Sequence, residues 1–125
     1  IPDPLNVDAM SRAARLFLGE HDFTSFCRRP KGQLEQPLVR NILSSRWVPQ
    51  TQQRIQFEIA ANAFCHQMVR SLTGFCVAVG LGKLEPEAFE AVIEAKSRAA
   101  APPIAPPHGL TLKHVTYGEP SEQDQ

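Results

Sequence analysis

"FCHQMVRSLTGFCVAVGLG", residues Phe64 to Gly82, decides how the rest of the chain is read. Its large apolar residues Phe64, Met68, Leu72, Phe75 and Val79 step by three or four positions. At about 100° per residue they fall within about 80° of arc, which predicts a helix with one core-facing stripe. Arg70 is the run's single charged residue, and between Arg54 and Lys83 the only formal charges are Glu58 and Arg70. On the helical wheel Arg70 lies about 160° from the stripe's centre, beside His66, Thr73 and Val77. It therefore faces a second environment, where its counter-charge is Glu58, solvent, or a group outside the chain. Beyond Phe75 the helix is apolar on nearly every side, which suits an element covered by a sheet and by another helix or subunit.

Working outward, "RIQFEIAA" before this helix alternates Ile55, Phe57 and Ile59 with polar residues, and "PLVRNILSSRWVP" does so less regularly through Val39, Leu43 and Trp47. The two predict an antiparallel strand pair. Near the start, Asn6 is placed to cap a helix over Val7–Leu18, and Gly19 to stop it. "EHDFTSFCRRPKGQ" reads as a loop with Phe23 and Phe26 turned inward. After the central helix, "EPEAFEAVIEAKS" predicts another, with Pro86 at a first-turn position, acidic residues early and Lys96 late. "AAAPPIAPPHGL" is a proline-rich connector, and "LTLKHVTYG" a last strand before the polar tail "EPSEQDQ". The fold class is α+β, an antiparallel sheet packed with helices.

The composition fits one domain: 125 residues, 42% hydrophobic, formal net charge zero and 11 prolines. A neutral chain has no global basic field to announce nucleic acid, though a local patch can still serve. Cys27, Cys65 and Cys76 show no close paired spacing, so they read as reduced thiols of a cytoplasmic protein. His66, Gln67 and Arg70 interrupt the longest apolar run, which argues against a membrane span. Cys65 and His66 are adjacent, but no second pair stands at ligand spacing, so no metal site is expected. The opening "IPDPLNVDAM", without an initiator Met, suits a fragment of a longer protein.

"HDFTSFC", "ANAFCHQMVRSLTG", "VGLGKL" and "APPHGLTLKHVTY", in this order and spacing, resemble the C-terminal half of the tRNA pseudouridine synthase A family over almost the whole chain. That resemblance implies one lobe of the pseudouridine synthase fold, an RNA-recognition-motif-like half of a two-lobed protein whose sheets join. It implies a homodimer that isomerises uridine in the anticodon arm of tRNA without metal or cofactor. It implies that the chemistry depends on an aspartate, in an Arg-Thr-Asp-type loop of the N-terminal lobe, that makes or promotes a covalent or glycal-like intermediate at the target nucleotide. The aspartates here, Asp3, Asp8, Asp22 and Asp124, have no such context. Residues 1–125 therefore read as a C-terminal lobe separated from its N-terminal catalytic lobe, and inactive alone.

The resemblance also assigns roles. Arg70 matches the basic residue that pairs with the catalytic aspartate across the lobes, and Leu110 the position that packs against the target base. His108 either contacts RNA backbone or caps a turn. His66 meets phosphate or the opposite lobe, or is a satisfied interface histidine. Arg28, Arg29 and Lys31 in the first loop are the leading RNA-contact candidates, because clustered cations suffice to hold phosphate. Arg40, Arg46 and Arg54 stand evenly between RNA contact and a solvated face. "FCHQ" departs from the family pattern with its Cys and Gln, and the stretch before the strand pair is short.

Overall fold

The computed structural model describes residues 5–28, 38–51, 54–65, 67–102 and 110–116, without the side chains of 51, 110 and 111. The elements run α1 (Val7–Leu16), β1 (Gly19–Asp22), a 3₁₀ turn (Thr24–Phe26), β2 (Val39–Thr51), β3 (Arg54–Ala61), α2 (Met68–Gly80), α3 (Ala88–Ala95), a second 3₁₀ turn (Arg98–Ala100) and β4 (Leu110–Thr116).

All five residues of the expected α2 stripe are buried. The helix itself starts only at Met68, because Gln67 adopts a left-handed conformation, φ 68°, that turns the chain into it. Phe64 is buried from the approach segment instead, its ring set edge-on to His114 with centroids 5.5 Å apart. Asn6 caps α1 as expected, its Oδ1 accepting the Ala9 N–H at 3.0 Å. The helix stops at Leu16 rather than Leu18, because the Phe17 and Leu18 N–H groups close onto the carbonyls of Ala14 and Arg15 in a tighter last turn. Gly19, with φ +93°, then leads away.

The sheet order is β1-β2-β3-β4. β1 and β3 flank β2 in antiparallel register, as the strand-pair reading required for β2 and β3. β4, however, runs parallel to β3, Leu110 opposite Ile55 through Thr116 opposite Ala61. The sheet is thus mixed, not antiparallel. The reason is connectivity: α2 and α3 carry the chain back along the sheet before β4, and such a crossover delivers a parallel strand. A second correction concerns Gly19–Asp22, read mainly as loop but paired with Ile42–Val39 at the sheet edge.

The core lies between the sheet and the helices, and all seven phenylalanines are buried there. Phe89 of α3 sits amid Phe17 (5.0 Å between centroids), Phe26 (5.8 Å) and Phe75 (6.0 Å). Full burial of each such ring contributes about 1.5–3 kcal/mol. Phe23 and Phe26 therefore belong to the core, as their spacing suggested. Trp47 stacks on Phe57 at 4.9 Å. Helices α1 and α2 touch at Gly80: a Cβ there would lie 2.7 Å from Met10 Sδ and would have to displace that buried side chain, and the Gly80 carbonyl accepts the Asn6 N–H at 2.9 Å.

The reading of three reduced thiols is also corrected. Cys27 and Cys65 are joined as a disulfide, with Cα atoms 5.6 Å apart and 38 positions between them in sequence. Closing a loop of that length stabilises by about 3–4 kcal/mol in the chain-entropy account. Cys76 stays free and fully buried, which pushes its thiol up to about 12, despite the Trp47 indole N–H facing it. Among the described residues no helix is long and apolar enough to cross a membrane, and no group of three or more His, Cys, Asp or Glu is placed to hold a metal ion.

Two polar residues pin the first 3₁₀ turn. Ser25, wholly buried, donates from Oγ to the Val92 carbonyl at 2.6 Å and accepts the Ser97 N–H at 3.0 Å. Ser25→Ala strands both backbone groups, so a loss of about 1–3 kcal/mol is expected from urea midpoints. Asp22 accepts the Thr24 N–H, the Thr24 hydroxyl and the Leu38 N–H through one oxygen. Partial burial raises its pKa, but these bonds to Thr24 and Leu38 outweigh it and hold the carboxyl below its ordinary 3.8. Its stabilisation is present above the unfolded pKa and lost as pH falls through the lowered folded value. Asp22→Ala is therefore expected to lower stability near neutrality by about 1–3 kcal/mol, and the gap to the parent to close as pH falls below about 3.8.

Candidate functional site at the start of helix α2

Arg70 occupies the first turn of α2 and is exposed. Its neighbours on the helix differ in fate. Thr73 is buried and donates from its hydroxyl to the Val69 carbonyl at 2.8 Å, while Val77 and Ala78 are half-buried and Leu81 is exposed. Thr73 thus satisfies itself on the helix, and Arg70 is the residue that projects outward.

The internal alternative for Arg70 is resolved by the strand register. Arg46 of β2 stands opposite Glu58 of β3, and their side chains pair, with Arg46 Nη2 at 2.9 Å and Nε at 3.0 Å from Glu58 Oε1. Gln56 donates to the second carboxylate oxygen at 3.2 Å. Lys113 of β4 completes a charged row across three strands, since it is the register partner of Glu58. Glu58 is thus committed to the sheet, and Arg70 forms no ion pair among the described residues. The backbone compounds this: α2 has no acidic residue in its first turn and no side-chain cap from Gln67. The helix dipole presents partial positive charge at that end, so Arg70 and the uncapped turn together favour an anion.

The other expected site residues are placed less closely. Leu110 opens β4 opposite Ile55, about 20 Å along the ladder from the end where the chain leaves β3 for α2. Arg28 is exposed just after Cys27. Arg29, Lys31, His66 and His108 lie outside the described residues. Of the strand arginines, Arg54 is exposed, Arg46 is held by Glu58, and Arg40 is partly buried with Nη1 donating to the Val39 carbonyl at 3.0 Å. The Arg46–Glu58 pairing went unread in the sequence, although both residues were noted; opposite charges on strands already paired were the available signal.

This arrangement can be set beside known proteins. The model of the family described as tRNA pseudouridine synthase matches residues 13–118. The chain belongs to that family. Among curated synthases it is 40% identical over 117 residues to tRNA pseudouridine synthase A of Leifsonia xyli, covering 94% of this chain and 40% of that protein. It is 42% identical to the Frankia casuarinae protein of the same name, covering 93% and 41%. The Bacillus subtilis synthase is 41% identical, covering 90% and 44%. The chain therefore spans about two fifths of the length of the curated synthases it matches.

Proposed function

We propose that this chain is the C-terminal lobe of an enzyme that isomerises uridine to pseudouridine in tRNA, in the anticodon arm. In this reading Arg70 supplies the counter-charge to the catalytic aspartate of an N-terminal lobe. The observation that carries it is the exposed guanidinium on an uncapped helix start, with Glu58 already taken by Arg46. Such a pair keeps the carboxylate ionised and aims it, because a planar fork binds both oxygens at once. Leu110 packs against the displaced base, His66 and His108 flank it, and Arg28, Arg29 and Lys31 hold tRNA phosphates. The chemistry needs no metal or cofactor in this scheme: the aspartate makes or promotes a covalent or glycal-like intermediate as the base detaches, the base turns and rejoins through carbon, and the proton on that carbon is lost to solvent. The assembly is a cytoplasmic homodimer, to which the apolar edge at Leu81 contributes surface.

The test is Arg70 itself in the complete protein, followed by tritium release from uridine-labelled tRNA. Breaking a desolvated pair costs on the order of 3–5 kcal/mol, so Arg70→Ala is expected to lower kcat by roughly two to four decades, and Arg70→Lys to recover part of it. In the isolated chain the same change falls on an exposed side chain and is expected to move stability by no more than about 0.5 kcal/mol. A complete Arg70→Ala protein with parental rate would refute the assignment.

A further inference from the structure

The Cys27–Cys65 bond ties together two segments that the proposed function uses separately. Cys27 closes the first 3₁₀ turn, its N–H donating to the Thr24 carbonyl at 3.2 Å, and Arg28 follows it directly at the surface. Cys65 stands just before α2. Its carbonyl accepts the N–H of Met68, the first helical residue, at 3.1 Å, and Arg70 lies in that same turn. Between them Gln67 sits at φ 68° without a side-chain cap. A non-glycine residue holds that conformation only where its surroundings enforce it. The Gln67 carbonyl also accepts the Ser71 N–H at 2.9 Å, so the twist at Gln67 sets the direction in which the first turn leaves. The anchor upstream of this twist is Cys65. Cys76, fully buried in the core, takes no part.

We propose that the Cys27–Cys65 disulfide is a reversible redox clamp on the approach to α2, whose reduction releases the first turn and misaims Arg70. The inference rests on the catalytic reading of Arg70 given above. Reduction is a two-electron step: a dithiol attacks one sulfur of the pair, a mixed disulfide forms, and the reagent's second thiol displaces it. The pair gains two electrons and two protons and becomes two thiols, while the reagent becomes a cyclic disulfide. A low-molecular-weight disulfide such as oxidised glutathione reverses the change. Both sulfurs belong to buried residues, so the exchange requires local opening of the 3₁₀ turn.

The experiment uses the complete protein, oxidised with glutathione disulfide or reduced with dithiothreitol. After denaturation and alkylation, peptide mapping of the oxidised form is expected to label Cys76 but neither Cys27 nor Cys65, and of the reduced form all three. Reduction is expected to lower kcat on tRNA by about tenfold with little change in KM, as a small misplacement of a catalytic group does. Cys27→Ser/Cys65→Ser is expected to remain at the reduced rate under either condition, and Cys76→Ala to keep the response. Full labelling of Cys27 and Cys65 in the oxidised form would overturn the proposal. So would an unchanged kcat on reduction, even with a lowered Tm, because the bond would then be a staple alone. A parallel Arg70→Ala protein separates the causes: its rate is expected to be low and indifferent to reduction, whereas a low rate that falls a further tenfold on reduction sinks the clamp on Arg70 and leaves the role of Arg70 standing. Parental rate in Arg70→Ala sinks both.

Discussion

An apolar helix that must bury one face in the core while leaving Arg70 of its first turn exposed is the constraint on which this structure depends. α2 carries both obligations on one short sequence. Its stripe fixes its rotation against the sheet, and that rotation alone determines where Arg70 points, because residues two positions apart in a helix face nearly opposite ways. Packing and electrostatics are therefore not separable here. A change that rotated α2 to improve the core would swing the guanidinium with it.

The supports around α2 serve that rotation from three sides. Gly80 lets α1 approach its far end to within the reach of Met10. Phe75 is locked among Phe17, Phe26 and Phe89 near its middle. Cys65 ties its start to the segment after the first 3₁₀ turn. Ser25 and Asp22 in turn fix that segment through hydrogen bonds to α3 and to the start of β2. The pair of Arg46 and Glu58 is spent within the sheet and draws nothing away from Arg70. A solvent-exposed pair of this kind stabilises little, so its effect is better described as committing Glu58 than as holding the fold.

What could be read from the sequence was what repeats locally. The period of Phe64, Met68, Leu72, Phe75 and Val79 gave α2 and its buried face, and the alternation of Ile55, Phe57 and Ile59 gave β3. Asn6 and Gly19 bracketed α1 by their own backbone chemistry. What escaped depends on partners distant in the chain. Glu20, His21 and Asp22 have no apolar alternation and become a strand only because β2 offers an edge. The direction of β4 is a property of the crossover, not of "LTLKHVT". The Cys27–Cys65 bond joins residues 38 positions apart, and no spacing rule brings them together. For the site, the isolation of Arg70 among apolar residues was legible, whereas the commitment of Glu58 to Arg46 required the register.

The sheet order leaves β1 and β4 as its two borders, and they are unequal. β1 is four residues long, with Glu20, His21 and Asp22 along it, too short and too polar to recruit another strand. β4 is seven residues long and carries exposed Leu112 and Val115, relieved only by Lys113 and His114. Its outer row of amide and carbonyl groups finds no strand partner among the described residues. In this chain handled by itself, that border is where edge-to-edge association would begin, and Lys113, a charge on its open face, is the residue that most resists it. Solubility of the chain by itself thus hangs on a side chain remote from Arg70, and the same border that threatens precipitation is the one best shaped to let a neighbouring sheet continue.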